Sequence, residues 1–434
     1  MILYRILYSI FVVSYLGLLR FAALWNPKAR LWVNGRKRFF ARLKEDFKKE
    51  IPEIIWMHCA SLGEYEQGRP LLEKLRKLYP RYRILITFFS PSGYMAIKET
   101  SIGDYTYYLP FGNRLVASKF IECIKPVLVL WIKYDYWYYY LHELKKRNTP
   151  LLLISGNFQK VQTFFKWYGK MHRQMLHFFS HLFVQTINSK KLLDEIGFSN
   201  QTTVSGDTRF DRVIEIAERF QEIEIIKKFC GKDPVIVAGS TWSEDEEELD
   251  HFANIHQEIK FILAPHEIHE EHIKDIEKLF KRSVRFSALH ELMDDSQAAV
   301  PENSTPNTRT PANVLIIDNI GMLSRLYRYA TITYVGGGFG EDGIHNVLEA
   351  AVYGKPVVFG PVFNKYTEAI ELLEEGGAYT INTALELENV FNDLFSDQEL
   401  YQKVCEAAKR YVYSKQGATA EILKYIQEKR LLTN

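Results

Sequence analysis

YVGGGFGEDGIHNVLEAAVYGKPVVFGP, residues Tyr334 to Pro361, is the most specific string in the chain. An apolar strand runs into a glycine-rich turn, a helix led by His345 and Asn346 follows, and Pro356 opens the next strand. Strand, turn, helix and strand in that order make a βαβ unit, and hence a parallel sheet. At such a turn backbone N–H groups can hold a phosphate, and Glu349, a turn into the helix, can accept hydrogen bonds from ribose hydroxyls. A lone glycine loop would be poor evidence. The glycine loop, H-N-x-x-E and G-K-P-V together predict a nucleotide-sugar donor site.

The same rhythm extends outward. PVIVAGS (Pro234 to Ser240), KFILAP and NVLIID precede the string, and an earlier series comprises IIWMHCAS, RILITFF, PVLVLW, PLLLISG, HLFVQ and TTVSG. Amphipathic helices separate these runs, including a long aromatic helix expected from Phe164 to Phe179. A chain of 434 residues is too long for one ordinary core, so two α/β domains are expected, with a boundary near Gly206 to Phe229. Asp294 to Asn313, rich in Ser, Thr, Pro and Asn, reads as a mobile surface insertion without function.

Ile2 to Trp25 is strongly apolar, interrupted only by Arg5 and Arg20, and Lys28 to Lys49 is rich in Lys and Arg. That order fits an anchor beside an anionic cytoplasmic leaflet, either spanning or lying in one leaflet. A net charge of +2 gives no reason to expect nucleic acid. The four cysteines are too dispersed for a disulfide framework or zinc site, and Cys59 is more simply buried packing than a nucleophile.

Ligands of open parallel sheets bind beyond the carboxyl ends of the strands. HCASLGEYEQGRP places Glu64 at such a junction, where the residues leave open whether it caps the helix or faces the cleft expected between the domains. VAGSTWSEDEEEL offers Ser240, and its acidic run reads as a solvated helix start. ILAPHEIHEEHI ends a strand at Pro265 and His266, but lacks the H-E-x-x-H order of a zinc protease. IGMLSRLYRYA opens a helix at Gly321.

With A-S-x-G-E at Ala60 to Glu64, A-G-S-T, A-P-x-x and G-x-H-N-x-L-E-A-A-x-x-G-K-P-V-x-F-G-P, the chain resembles the 3-deoxy-D-manno-octulosonic acid (Kdo) transferases of lipopolysaccharide assembly over nearly its whole length. The resemblance implies a GT-B fold, two Rossmann-like domains facing across a cleft with an N-terminal membrane anchor helix. It divides the chain into an anchor (1–27), an acceptor-binding domain (28–215), a CMP-sugar-binding domain (216–396) and a helical segment packing back across both (397–434). It implies transfer of Kdo from CMP-Kdo to the lipid A precursor, lipid IVA, with inversion, at the cytoplasmic face of the cell inner membrane. Glu64 would be the base. CMP would contact Pro265, His266, Gly321, Met322, Leu323 and Asn346 to Glu349 (Asn346, Val347, Leu348, Glu349), with Ser240 and Arg209. Ser61, Gly63 and Arg69 would meet the acceptor.

Many members have arginine where His266 stands, lysine where Arg209 stands, and E-x-E-x-W-P where this chain has Lys133 to Trp137. The tyrosines Tyr134, Tyr136 and Tyr138 to Tyr140 are therefore read as lining a lipid-facing side. Because CMP carries one phosphate and the chain has no Asp-x-Asp, neither metal nor cofactor is expected. The rival readings are another GT-B transferase or epimerase using a UDP-sugar, and a non-catalytic membrane-bound sugar- or lipid-binding protein.

Overall fold

The computed structural model describes residues 2–48, 52–98, 102–133, 135–289 and 312–433. Tyr134, and the insertion read at Asp294 to Asn313 save Ala312 and Asn313, lie outside the described residues. The chain divides into two units, Met1–Arg212 with Gln416–Asn434, and Val213–Lys415.

The first unit holds the strands β1 (Ile54–Cys59), β2 (Arg83–Phe88), β3 (Tyr105–Tyr108), β4 (Pro126–Ile132), β5 (Leu151–Gly156), β6 (His181–Val184) and β7 (Thr202–Val204). They pair in parallel in the order β3-β2-β1-β4-β5-β6-β7. Alternation along each strand builds two cores. Ile54, Trp56, Val129 and Trp131 pack on one face, and Ile55, Met57, Leu130 and Ile132 on the other. The helix Leu62–Leu78 lies on the second face, and Gly68 sets how closely, because a Cβ there would stand 2.2 Å from Met57 Sδ and 3.1 Å from Ile132 Cδ1. Gly68→Ala is expected to destabilise the first unit by about 1–3 kcal/mol through overpacking, read as a lower urea midpoint.

The second unit holds β8 (Val235–Thr241), β9 (Lys260–Pro265), β10 (Ser283–Arg285), β11 (Val314–Ile316), β12 (Ile332–Val335), β13 (Val357–Phe359) and β14 (Ala378–Thr380). These too are parallel, in the order β10-β11-β9-β8-β12-β13-β14. In both sheets the order reverses beside the first strand, which puts a ligand crevice at the carboxyl ends of the central strands.

Three local readings need correction. The segment expected as one helix from Phe164 to Phe179 is a 3-10 turn, Thr163–Phe165, followed by a helix over Lys170–Leu176. Gly169 stands between them, where a Cβ would lie 1.9 Å from Thr163 O. The helix expected to run on from His345 is a single turn, Leu348–Ala351. The tyrosines Tyr138, Tyr139 and Tyr140 do not line a lipid-facing side; they are buried.

The N-terminal helix, Ile2–Ala22, covers Tyr138 and Tyr139, whereas Tyr140 packs against Trp56 and Phe120. Arg5 Nε donates to Tyr138 OH at 3.0 Å, Tyr138 N donates to Tyr8 OH at 3.1 Å, and Tyr15 rests edge-on against Phe111. Val12 is buried, whereas Ile6, Ile10, Val13 and Leu18 are exposed. The helix is long and apolar enough to cross a membrane. Of the terminal helices, Gln398–Ser414 belongs to the second unit and Ala418–Glu428 to the first. The latter is pinned by Asp211, whose carboxylate accepts from Gly417 N and Thr419 N at 2.6 Å each.

Candidate functional site

In the first unit β1 ends beneath the start of the helix Leu62–Leu78. Ser61 is its N-cap, accepting weakly from Glu64 N at 3.4 Å, and Glu64 turns back so that its Oε2 accepts from Ala60 N at 2.5 Å. Glu64 thus satisfies a backbone donor at the carboxyl end of the central strand. It is 8 % exposed. A Cβ at Gly63 would meet nothing within 4 Å, so the ground above this turn is open on the protein side.

Arg69, a turn further on, is tied to Glu73 at 2.8 Å and Glu66 at 3.5 Å. Arg209 also belongs to the first unit, and the other expected donor contacts belong to the second. Its backbone N donates to Asp207 Oδ1 and its Nε to Oδ2, both at 2.9 Å. Although burial opposes charge on Asp207, Arg209 and Lys133 hold its carboxyl below the usual range.

The remaining donor candidates gather at the carboxyl edge of the second sheet. Ser240, in the left-handed region at φ 54°, turns the end of β8 beside β12. Two glycines permit the approach: a Cβ at Gly336 would lie 2.5 Å from Ser240 O, and one at Gly239 would lie 2.4 Å from Leu323 Cδ1. Pro265 ends β9 and is buried, while His266 beyond it is exposed. Gly321, with φ 95°, leads through Met322 into the one-turn helix Leu323–Leu326. Asn346 Nδ2 donates to Glu349 Oε1 at 3.1 Å, and Asn346 Oδ1 accepts from Leu348 N at 3.2 Å. Val347 and Leu348 are buried, so they can offer a ligand backbone groups rather than side chains.

Two features here escaped sequence reading. His266 stacks on Trp242 at 4.6 Å and on His345 at 4.5 Å, and Trp242 Nε1 donates to His345 Nε2 at 3.2 Å. Burial, with His266 alongside, pushes His345 down to about 4. The ring is therefore neutral near pH 7, and because Nε2 accepts, its proton sits on Nδ1.

The second is Asp245, which is not on a solvated helix start. Its Oδ2 accepts from Trp242 N at 2.9 Å and Gly337 N at 2.8 Å, and its Oδ1 from Tyr334 OH at 2.7 Å. It ties the glycine-rich turn to the start of the helix Ser243–Ile255. The available signal was its place three residues into that helix, where an acid can close a capping box.

Residues 34–212 match the family described as 3-deoxy-D-manno-octulosonic-acid transferase (kdotransferase). A 3-deoxy-D-manno-octulosonic acid transferase of Haemophilus influenzae is 25% identical over 95% of this chain and 94% of its own. The chain is a relative of the Kdo transferases. A bifunctional glycosyltransferase/methyltransferase of Fusobacterium nucleatum is 26% identical over 83% of this chain, which spans 56% of that longer protein. The UDP-GlcNAc 2-epimerase of Neisseria meningitidis, solved with UDP-GlcNAc, superposes with a TM-score of 0.60 at 17% identity, covering 87% of this chain and all of its own. The fold is GT-B.

Within this Kdo-transferase relative, Cys59 is fully buried, and burial with Glu64 nearby pushes its thiol well above the usual value, so it has no thiolate to offer. Asp135 and Trp137 are packed into the first unit. Asp135 O accepts from Trp131 Nε1, its carboxylate stands 3.9 Å from the buried His58 Nε2, and Trp137 stacks on Phe89 at 4.8 Å.

Glu246 departs from the solvated reading as well. It is buried, accepts from Thr241 Oγ1 at 2.9 Å and lies 3.3 Å from His272 Nε2. Burial raises Glu246 to about 7 and lowers His272, so this is a neutral pairing rather than an ion pair. The folded protein keeps the Glu246 proton after the unfolded chain has lost it near the ordinary 4.5. The Glu246 contribution to stability is then fully present below that pH and lost as pH rises through about 7. Glu246→Gln should remove this slope: relative to the wild type, the variant gains on the order of a few kcal/mol between pH 4.5 and 7.5 in urea titrations. A constant difference across that window refutes the assignment. His272 has the opposite slope, but it is common to both proteins.

Proposed function

We propose that the protein is an inverting glycosyltransferase that moves Kdo from CMP-Kdo to a lipid A precursor, lipid IVA, at the cytoplasmic face of the inner membrane. The observation that carries this reading is the placement of Glu64 at the carboxyl end of β1, next to Gly63, where a Cβ would meet nothing within 4 Å, inside the segment that matches the family. As the acceptor oxygen bonds to the anomeric carbon, the bond from that carbon to the CMP phosphate breaks. Glu64 takes the hydroxyl proton and CMP leaves as an anion.

The donor residues are Ser240, Pro265, His266, Gly321 to Leu323, Asn346 to Glu349 and Arg209. Glu349, oriented by Asn346, receives the ribose hydroxyls, and Arg209, oriented by Asp207, offsets the phosphate charge. The one-turn helices here carry little dipole, so backbone N–H groups and Arg209 take that task. Ser61, Gly63 and Arg69 form the acceptor side, with Arg69 sharing its donors between Glu66, Glu73 and a lipid phosphate. A monophosphate leaving group does not demand a divalent metal. The N-terminal helix, held along one side by tyrosines, lies in one leaflet with Ile6, Ile10 and Val13 toward the acyl chains.

The deciding experiment mixes purified protein with lipid IVA and freshly generated CMP-Kdo and reads product mass. Addition of Kdo supports the reading. No addition, together with tighter binding of UDP than CMP, replaces it with a UDP-sugar enzyme.

A further inference from the structure

The loop between β5 and the helix Lys170–Leu176 is built in an unusual way. Its interior is fixed: Phe164 is buried against Phe158 and Tyr136, and Arg173 Nη1 donates to the carbonyls of Phe164 and Lys166 at 2.8 Å each. This rigid frame turns its largest apolar side chains outward. Trp167 is 90 % exposed, Val161 74 % and Tyr168 50 %, and the two rings lie edge to face at 5.4 Å. A clamped loop that holds an indole in water at full exposure gains nothing from it in the isolated protein.

The charge around the loop is of one sign. Between Glu143 and Asp194 the chain has nine Lys and Arg residues and no Asp or Glu, although it is nearly neutral as a whole. Lys160 and Lys170 flank the exposed rings and are themselves exposed, with Lys166 beside Trp167. Trp and Tyr interleaved with lysines match the boundary of an anionic bilayer, where rings sit at headgroup depth and ammonium groups meet lipid phosphates. Buried ring contacts tie the loop's frame toward the N-terminal helix: Phe164 meets Tyr136 at 4.9 Å, and Tyr138, two residues on, meets Tyr8 of that helix at 5.7 Å.

We propose that this loop, Gln159 to Lys170, is a second membrane contact, which docks on anionic lipid independently of the N-terminal helix. It follows β5, so it projects from the same edge of the sheet as the turn that carries Glu64. Two contacts on one unit fix its tilt on the bilayer more tightly than the helix alone.

The test is sedimentation of the full-length protein with vesicles, without donor or acceptor, so that it stands or falls separately from the catalytic reading. Lys160→Gln/Lys166→Gln/Lys170→Gln should lower partitioning onto phosphatidylglycerol-containing vesicles about tenfold or more and leave that onto pure phosphatidylcholine unchanged. Trp167→Ser/Tyr168→Ser should lower both. In the wild type, bromine-labelled lipid should quench a component of tryptophan emission that Trp167→Phe lacks. Partitioning unchanged in both variants, or identical quenching of wild type and Trp167→Phe, overturns the proposal. So does a lysine variant that binds vesicles normally but has a raised KM for the detergent-dispersed acceptor, because the loop would then hold that lipid's phosphates and not the bilayer.

Discussion

Glu64→Gln should cut Kdo transfer by about 10²–10⁴-fold, the usual range for removing a general base, while leaving the fold intact. The amide keeps the shape of the side chain and a carbonyl oxygen, so the 2.5 Å hydrogen bond from Ala60 N has an acceptor in the variant. What disappears is the ability to take a proton. The loss should therefore fall on kcat, with the KM for CMP-Kdo little changed, because the interaction exists only in the transition state. Single-turnover product formation measures the rate, and an unchanged urea transition for the first unit shows that the helix start has survived. A variant that transfers Kdo at the wild-type rate would reduce Glu64 to a helix cap, the other role its place in the turn permits.

The contrast between Glu64 and Asp245 shows what a sequence can disclose. The position of Glu64 was legible because its contacts are local: the end of β1, the Ser61 cap and the carboxylate that accepts from Ala60 N are neighbours in sequence. Asp245 and Glu246 were misread because acids at a helix start are ordinarily solvated. Their burial depends on Tyr334, Gly337 and His272, partners brought from other elements. The stack of Trp242, His266 and His345 is nonlocal in the same way.

The strands divide on similar grounds. β1 and β4 are continuous apolar runs buried on both faces, so they announced themselves. β3, whose four residues YTYY sit at an edge, was passed over, as were the three-residue β10 and β14, because a short edge strand owes its form to the neighbour it pairs with. The error from Phe164 to Phe179 is of another kind. Dense aromatics mimic a helical stripe, but Phe164 points into the core and Trp167 into solvent, and Gly169 closes the turn.

Asp245→Ala should be the most damaging substitution in the second unit. Truncation leaves Trp242 N–H, Gly337 N–H and the buried Tyr334 hydroxyl without the carboxylate that serves all three, and orphaned buried donors cost about 1–3 kcal/mol each. Partial relaxation and water entry would bring the total to roughly 3–5 kcal/mol, read as a lower urea midpoint for the second unit. Because Gly337 belongs to the glycine-rich turn, binding of cytidine monophosphate should weaken as well, even where the variant remains folded. Asp245→Asn separates shape from charge. Burial raises the Asp245 carboxyl above the usual range, so a neutral isostere suits the site. Its carbonyl can take both backbone N–H groups, and its amide can donate to a reoriented tyrosine hydroxyl. The Asn variant should lose less than about 1.5 kcal/mol and keep nucleotide binding. Equal destabilisation by Ala and Asn would mean that the negative charge itself, and not the triple acceptor geometry, holds the turn.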